Sequence, residues 1–335
     1  MGVFLFIGEK VKRLLIIDAL NAYYRNYIVN PSLSANGQPI GGLKGTLQTV
    51  QKMAREINPD MIAMVWDGPG GSISRQQQNK NYKQGRKPIR INRETILSED
   101  EQGKNKVWQQ IRLMEYLNEF PIVQLQFEQV EADDVIAYLT QMEEFAGWQK
   151  VIASSDKDFL QLCDKETIQK KIHNVNNILE EYKIHPRNFA VARAIVGDPS
   201  DNLPGVPRAG LKTVAKKFNF LLEDKDVELQ EIFDYCEKTE ENGKIFTNIL
   251  ECKEIVIQNL KLMQLSNPRL SLKCKNKTKY AIANFDHRYN KTEIIKMMNE
   301  ATNDEHQKRQ LKLFKIREVL SRKVVHGNSR RSGLC

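Results

Sequence analysis

Cysteine and histidine are scarce in this sequence, and their scarcity excludes several kinds of site. The 335 residues include five cysteines and five histidines. The cysteines are scattered and form no C-x-x-C pair, so neither a zinc site nor a disulfide framework is indicated. No apolar run is long enough to span a bilayer, and the first eight residues lack the basic start of a signal peptide. We therefore expect an intracellular, soluble protein in a reducing compartment.

Basic residues exceed acidic ones, and they are concentrated in two stretches. The formal net charge is +9. Residues 75–93 contain seven Lys or Arg and no acid, whereas residues 307–335 contain nine Lys or Arg and one Glu. Positive patches of this kind attract a polyanion such as nucleic acid. The alternative is a solvated surface or a tail, which suits residues 307–335 better than residues 75–93.

Short apolar runs alternate with segments of helical period up to about residue 185. Residues 14–17, 61–66 and 151–155 have the composition of buried strands, and residues 41–57 have helical spacing. This alternation predicts an α/β fold with a mostly parallel central sheet and helices on both faces. Residues 68–106 are polar and rich in Gln and Asn, and a segment of this length inside a compact domain is typically functional or disordered.

Acidic residues follow the predicted strands. Asp18, Asp67 and Asp156 come directly after three of them. Residues beyond the carboxyl ends of parallel strands converge on one crevice, and like charges crowded there repel each other unless cations neutralise them. Nine carboxylates in five clusters are therefore candidate metal ligands: Asp18, Asp67, Glu131, Asp133, Asp134, Asp156, Asp158, Asp198 and Asp201.

These acidic clusters contain neither His nor Cys, and this composition indicates which metal they would bind. Ligands that are all oxygen favour Mg²⁺ or Mn²⁺ over zinc. Two such ions could activate water and stabilise the leaving oxygen of a phosphodiester. Helix capping is the competing interpretation, because Glu131 and Asp134 open a helix and Asp156 precedes another. Each cluster alone is weak evidence, whereas the nine together predict metal-assisted phosphodiester chemistry.

Two helices joined by a turn rich in Gly and Pro are predicted over residues 186–218. Such turns present backbone N–H groups to phosphate. Gly205 and Gly210 suit tight turns with positive φ and close backbone approach. Positive charge is added by Arg208, Lys212, Lys216 and Lys217. An ordinary loop is the alternative, but the spacing favours a unit that follows a nucleic-acid backbone.

A series of motifs resembles the structure-specific 5′ nucleases, the family of flap endonucleases and 5′-3′ exonucleases. The resemblance covers about three fifths of the chain, and the chain is most like the stand-alone phage-type enzymes. The motifs are Asp18-Ala19-Leu20-Asn21 with Arg25, Val65-Trp66-Asp67-Gly68, Tyr82-Lys83-x-x-Arg86, Glu131-Ala132-Asp133-Asp134, Ser155-Asp156-Lys157-Asp158 and Gly197-Asp198-x-x-Asp201-Asn202.

This resemblance implies a PIN-like 5′-nuclease fold with a helical arch and a helix-three-turn-helix. It implies a 5′-3′ exonuclease and flap endonuclease that cleaves DNA near 5′ ends or junctions during replication and repair. Lys83 and Arg86 would act in catalysis at the scissile phosphate, together with Asp67 and Asp156. The residues expected to contact nucleic acid are Arg25, Arg75, Tyr82, Lys83, Arg86, Gly205, Val206, Arg208, Gly210, Lys212 and Thr213.

The resemblance also implies cofactors, partners and boundaries. Two or more Mg²⁺ ions are expected, with Mn²⁺ as a substitute and K⁺ in the turn. DNA with 5′ flaps, forks or 5′ ends is the expected partner; RNA–DNA primers, a single-strand-binding protein and a clamp are further candidates. We expect a cytoplasmic monomer, in the host cytoplasm if the source is a phage, without membrane binding. The expected regions are residues 1–185 (nuclease domain, arch at 68–106), 186–265 (DNA binding) and 266–335 (C-terminal, with a basic tail).

Two alternative functions stay open at this point. A DNA-binding accessory protein of the replication fork would not cleave, but it would be expected to have lost some of the acids. A haloacid-dehalogenase-like phosphatase also uses aspartates at strand ends. That chemistry needs Asp-x-Asp after the first strand, and Asp18-Ala19-Leu20 lacks the second Asp.

Overall fold

A five-stranded parallel sheet is the centre of the fold. The computed structural model describes residues 11–95, 97–169, 173–241, 243–286 and 288–300. The strands are β1 Arg13–Asp18, β2 Met61–Trp66, β3 Val123–Gln126, β4 Gln149–Ala153 and β5 Thr167–Gln169. Their order is β3-β2-β1-β4-β5, and every neighbouring pair is parallel. The predicted fold class is confirmed.

The register of the central strand aligns the carboxyl ends of its neighbours. Asp18 pairs with Val65 of β2, two residues before Asp67. On the other side Ile17 pairs with Ala153, the last residue of β4. β1 is buried on both faces, which explains its continuous apolar run. The acids that follow these strands are therefore brought to one edge of the sheet.

Helices cover both faces of the sheet. The first six are α1 Ala19–Val29, α2 Gly41–Ile57, α3 Ile73–Gln78, α4 Glu99–Leu117, α5 Ala132–Gln141 and α6 Val175–Tyr182. α1, α2 and α4 share one hydrophobic core with Leu15 and Ile17 of β1. α5 shares the opposite core with Leu14 and Ile16. The period-two alternation along β1 thus separates the two layers.

A second helical unit follows with a core of its own. It contains α7 Pro186–Val196, α8 Leu211–Lys217, α9 Leu229–Lys238, α10 Lys244–Glu251 and α11 Lys253–Met263. The turn between α7 and α8 needs glycine at 205, since a Cβ there would lie 1.8 Å from the Val196 oxygen. The expected positive φ at Gly205 and Gly210 is wrong. Within this turn it occurs at Gly197, Asn202 and Arg208, and Gly210 has φ −93°.

The last described helices pack on the sheet domain. They are α12 Leu272–Ala283 and α13 Lys291–Glu300. Ile282 of α12 belongs to the core beneath α5, whereas Ile294 and Met297 of α13 belong to the core beneath α2 and α4. The basic tail, residues 307–335, lies outside the described residues. Among the described helices, none has both the length and the apolar character needed to cross a membrane.

Candidate active site

The ends of β1 and β4 are joined by a serine. Asp18 is 8% exposed and caps α1 by accepting a hydrogen bond from the Asn21 amide at 3.1 Å. The Ser154 hydroxyl donates to Asp18 at 2.9 Å and accepts from the Asp156 amide at 3.1 Å. Capping and site formation are therefore not alternatives here, because Asp18 and Asp156 each cap a helix and face the same site.

The end of β2 is tied to the start of α5. Asp67 accepts a hydrogen bond from the Ala132 amide at 2.6 Å, and Asp133 is the next residue of that helix. Burial is the main cause that raises the pKa of Asp133 well above its usual value. The negative charges of Asp156, Asp67 and Asp18 raise it further, against the opposing charge of Lys83. Asp156, Asp67 and Asp18 are thus near enough to Asp133 for their charges to act on it.

We call Asp18, Asp67, Asp133 and Asp156 the open carboxylates. Within the described ranges, no Lys or Arg forms an ion pair with any of them. Burial raises the pKa of Asp18 to about 7 and also raises that of Asp67. The open carboxylates therefore lie close together without an ion-pair partner among the described lysines and arginines.

The other five predicted ligands are the paired carboxylates, because each forms an ion pair. Arg75 Nη1 lies 2.6 Å from Glu131 and 2.7 Å from Asp134, and Lys83 Nζ lies 2.7 Å from Glu131. Burial alone would raise the pKa of Glu131, but Lys83 and Arg75 lower it below its usual value. The remaining pairs are Asp158 and Asp198 with Arg193, and Asp201 with Arg86.

Arg193 is a site residue that the sequence reasoning missed. It lies on α7, and its guanidinium bridges Asp158 at 3.2 Å and Asp198 at 2.6 Å. Burial raises the pKa of Asp158 to about 7 despite this contact. No sequence signal marks Arg193, since a single arginine in a helix is ordinary. It links the helical unit to the end of β4.

The open carboxylates suit a hard divalent cation. Among the described residues, no three acidic, His or Cys side chains are gathered closely enough to form a coordination shell unaided. Mg²⁺, however, retains several waters and needs only one or two direct carboxylates. The donors are all oxygen, and the Asp133 carboxylate accepts no hydrogen bond from the described part of the chain. These residues therefore fit Mg²⁺ or Mn²⁺ bound partly through water.

The arch segment rests on the turn that follows α7. The Lys83 amide donates to the Asp201 oxygen at 2.9 Å, and Arg86 Nε donates to the Ser200 oxygen at 3.2 Å. Arg86 also pairs with the Asp201 carboxylate. Lys83 and Arg86 therefore lie beside the paired carboxylates Glu131 and Asp201, and their action on phosphate stays a prediction. Their segment connects α3 to α4, and its described residues between 79 and 98 are not helical.

The predicted nucleic-acid contacts divide by exposure. Exposed positions are Arg25, Arg86, Arg208, Gly210, Lys212 and Thr213, while Lys83 and Gly205 are half-buried. Three residues of the predicted set are buried and do not face a nucleic acid in this structure, which corrects the prediction. They are Arg75, Tyr82 and Val206, of which only 3–4% is exposed. Arg75 and Tyr82 instead bind Glu131, and Val206 belongs to the core of the helical unit.

The sequence of the sheet domain matches a family of nucleases. The model of the family described as "5′-3′ exonuclease, N-terminal resolvase-like domain" matches residues 13–188, more than half of the chain. The chain belongs to the 5′-3′ exonuclease family. Its members are enzymes, so the predicted family and the prediction of a phosphodiester hydrolase are confirmed.

Two relatives illustrate the membership. The chain is 33% identical over 221 residues to a 5′-3′ exonuclease of Buchnera aphidicola subsp. Schizaphis graminum, covering 63% of this chain and 72% of that protein. It is 30% identical over 238 residues to DNA polymerase I of Caldicellulosiruptor bescii, covering 68% of this chain and 26% of that protein. The chain thus corresponds to about a quarter of the length of that polymerase.

Solved structures establish the fold independently. The T5 D15 protein co-crystallised with metal ions matches with a TM-score of 0.58 at 17% identity, over 90% of this chain and 100% of that one. The bacteriophage T5 D15 flap endonuclease, solved with DNA and metal ions, matches with a TM-score of 0.60 at 18% identity, over 86% of this chain and 97% of that one. The predicted 5′-nuclease fold is confirmed.

Proposed function

We propose that this protein is a divalent-metal-dependent nuclease that hydrolyses DNA phosphodiesters near 5′ ends or at junctions of single and double strands. The observation that carries the proposal is the group of open carboxylates beside Lys83 and Arg86. Membership of the 5′-3′ exonuclease family supports it. The T5 flap endonuclease with the same fold was solved with DNA and metal ions, which supports the proposed substrate class.

The open carboxylates would hold the metal ions, with Asp158 beside them. When bound, a pair of Mg²⁺ or Mn²⁺ ions supplies an activated water and stabilises the leaving oxygen. The protein itself fixes the positions of the carboxylate oxygens that would bind these ions. Ser154 orients Asp18, and the Ala132 amide orients Asp67. Preorganised ligands of this kind cost no rearrangement during the reaction.

Lys83 and Arg86 would neutralise charge on the scissile phosphate. Lys83 contacts Glu131 at 2.7 Å, and it is near enough to Asp67 and Asp133 for its charge to oppose the rise in the pKa of both. Arg86 is exposed and can leave Asp201 for a phosphate, since an exposed ion pair is worth only about 0–1 kcal/mol. Cations near the developing charge typically account for roughly 10²–10³-fold in rate.

The turn and the start of α8 would bind the duplex backbone. Gly210 precedes α8, and Arg208, Lys212 and Thr213 are exposed beside it. Lysine and arginine contacts to phosphate position a duplex without reading its sequence. We further propose that this turn binds K⁺. We also propose a role in replication and repair, which agrees with the relatives that are DNA polymerase I.

A cleavage assay tests the proposal directly. 5′-flap DNA, blunt duplex and RNA-primed duplex are incubated under single-turnover conditions with Mg²⁺ or with EDTA. We expect cleavage of the flap near its junction in Mg²⁺, with a 5′-phosphate on the product, and none in EDTA. Tight binding of the flap without cleavage in Mg²⁺ would favour the accessory-protein alternative. The phosphatase alternative has no support from the family match.

A further inference from the structure

Glu131 receives four hydrogen bonds from the base of the arch segment. The donors are Ser72 Oγ at 2.7 Å, Arg75 Nη1 at 2.6 Å, Tyr82 Oη at 3.2 Å and Lys83 Nζ at 2.7 Å. All four lie between residues 72 and 83, and the Glu131 side chain is 2% exposed. The carboxylate is therefore enclosed by this segment.

Arg75 joins three separate elements. Its Nη1 reaches Glu131 and, at 2.7 Å, Asp134 at the start of α5. Its Nε donates to the Leu262 oxygen near the end of α11 at 3.0 Å. The side chain is 4% exposed. One buried guanidinium thus holds α3, α5 and α11 together.

The charges of the residues that form these ion pairs balance. Arg75 and Lys83 carry two positive charges, and Glu131 and Asp134 carry two negative ones. A buried pair is stable only while its partners remain, and loss of one partner leaves an uncompensated charge. The planar fork of arginine binds two carboxylates and a carbonyl at once, which the point charge of lysine cannot reproduce.

We propose that Arg75 is a positioning residue for the proposed reaction, which fixes the base of the arch segment on α5 so that Lys83 stands beside the open carboxylates. The inference rests on the proposed function. Lys83 follows Arg75 by eight residues and binds the other oxygen of the same Glu131. In this arrangement Glu131 and Asp134 anchor the segment and do not serve as direct metal ligands.

The central test is a double-mutant cycle of Arg75→Lys with Lys83→Ala. We expect Arg75→Lys to lower the single-turnover cleavage rate at saturating 5′-flap DNA by about 10- to 100-fold, the scale of a misplaced active-site group. Binding of the flap in EDTA and the Mg²⁺ concentration for half-maximal rate should change by less than about twofold. In the Lys83→Ala background, Arg75→Lys should add almost nothing, because coupled residues are not additive.

Arg112→Lys is the matched control. Arg112 is also buried, with a side chain that is 5% exposed, and it donates to the Met297 oxygen at 2.7 Å away from the site. The Arg112→Lys variant should have a lower melting temperature, as Arg75→Lys should. Its single-turnover cleavage rate should not change. If Arg75→Lys does not fold, Ser72→Ala replaces it in the cycle, because it removes one hydrogen bond to Glu131 and leaves the charges in place.

The possible outcomes separate this inference from the proposed function. Rate losses that multiply in the double mutant would overturn the positioning role while wild-type cleavage supports the nuclease. An Mg²⁺ requirement that rises with Arg75→Lys would overturn the anchoring role of Glu131 and Asp134. A wild-type protein that cleaves no substrate in Mg²⁺ would overturn the proposed function and this inference with it.

Discussion

The open and the paired carboxylates lie at the same edge of one sheet, yet their surroundings differ. Asp133 and Asp134 are adjacent in the sequence. Asp133 faces three other acids, and burial and repulsion raise its pKa. Asp134 faces inward and pairs with Arg75 at 2.7 Å. We therefore propose that the cationic partner, and not the acidic motif, decides whether Asp133 or Asp134 is available to a metal.

The two groups also contribute oppositely to stability. Crowded open carboxylates destabilise the folded protein until a cation neutralises them. Among the paired carboxylates, Glu131, Asp134 and Asp198 stabilise it, because each is matched by a buried or half-buried arginine or lysine. Substitutions within each group should therefore separate activity from stability.

The largest expected effect comes from the open group. Asp133→Asn should lower the single-turnover cleavage rate of 5′-flap DNA by roughly 10³-fold, the scale of losing a preorganised charge in an active site. Because the substitution relieves repulsion, the melting temperature in EDTA should not fall. Binding of the flap in EDTA should persist. A mutant that cleaves at the wild-type rate would remove Asp133 from the proposed metal site.

The matching change in the paired group should act on stability. Asp134→Asn breaks a buried ion pair, and the free energy of unfolding in EDTA should fall by about 3–5 kcal/mol. Denaturant unfolding measures this. The folded mutant should keep more cleavage activity than Asp133→Asn. If the two mutants have equal stability in EDTA, the distinction between the groups is wrong.

The pH dependence of stability should have opposite signs for Asp18 of the open group and Asp198 of the paired group. Burial raises the pKa of Asp18 from 3.8 to about 7, so its stabilisation of the metal-free fold is full below about pH 4 and is lost as pH rises through 7. Asp198 has a lowered pKa, because the Ser200 hydroxyl and Arg193 outweigh burial. Its stabilisation is present above pH 4 and is lost at lower pH.

Thermal melts in EDTA between pH 5 and pH 8 measure the first of these effects. Wild-type stability should decline over this range, and Asp18→Asn should flatten the decline. A steeper decline in Asp18→Asn would contradict the assignment of the raised pKa to Asp18.

The smallest expected effect lies outside both groups, at the duplex-binding turn. Lys212→Ala should weaken duplex binding by a few fold and reduce the salt dependence of binding by about one phosphate contact. The cleavage rate at saturating substrate should be unchanged. Fluorescence anisotropy at several salt concentrations measures the slope, and an unchanged slope would place Lys212 away from the DNA.

Local patterns predicted much of the fold. The helix predicted over 41–57 begins and ends at those residues, and Asn58 in the left-handed conformation terminates it. The strand predicted over 61–66 is also correct. Apolar spacing alone predicts a helix only from Val107, whereas α4 begins at Glu99. The missed signal is the capping box formed by Ser98 and Glu101, which opens a helix before its apolar residues appear.

The division of the acids into open and paired carboxylates could not be predicted from local sequence. Glu131 and Asp134 open α5, as the sequence predicts, but their partner Arg75 precedes them by more than fifty residues. Arg75 is fixed in turn by Leu262, which is 187 residues away. Arg193 reaches Asp158 from 35 residues away. Such pairings depend on tertiary contacts, which periodicity and motif spacing do not contain.

The Mg²⁺ dependence of flap cleavage tests whether the open and the paired carboxylates have different roles. Rates are measured against Mg²⁺ concentration for the wild type, Asp133→Asn and Asp134→Asn, each below its own melting temperature. We predict that Asp134→Asn needs nearly the same Mg²⁺ concentration as the wild type for half-maximal rate. We predict that Asp133→Asn stays nearly inactive at every Mg²⁺ concentration. The same shift in Mg²⁺ requirement for both mutants would contradict it.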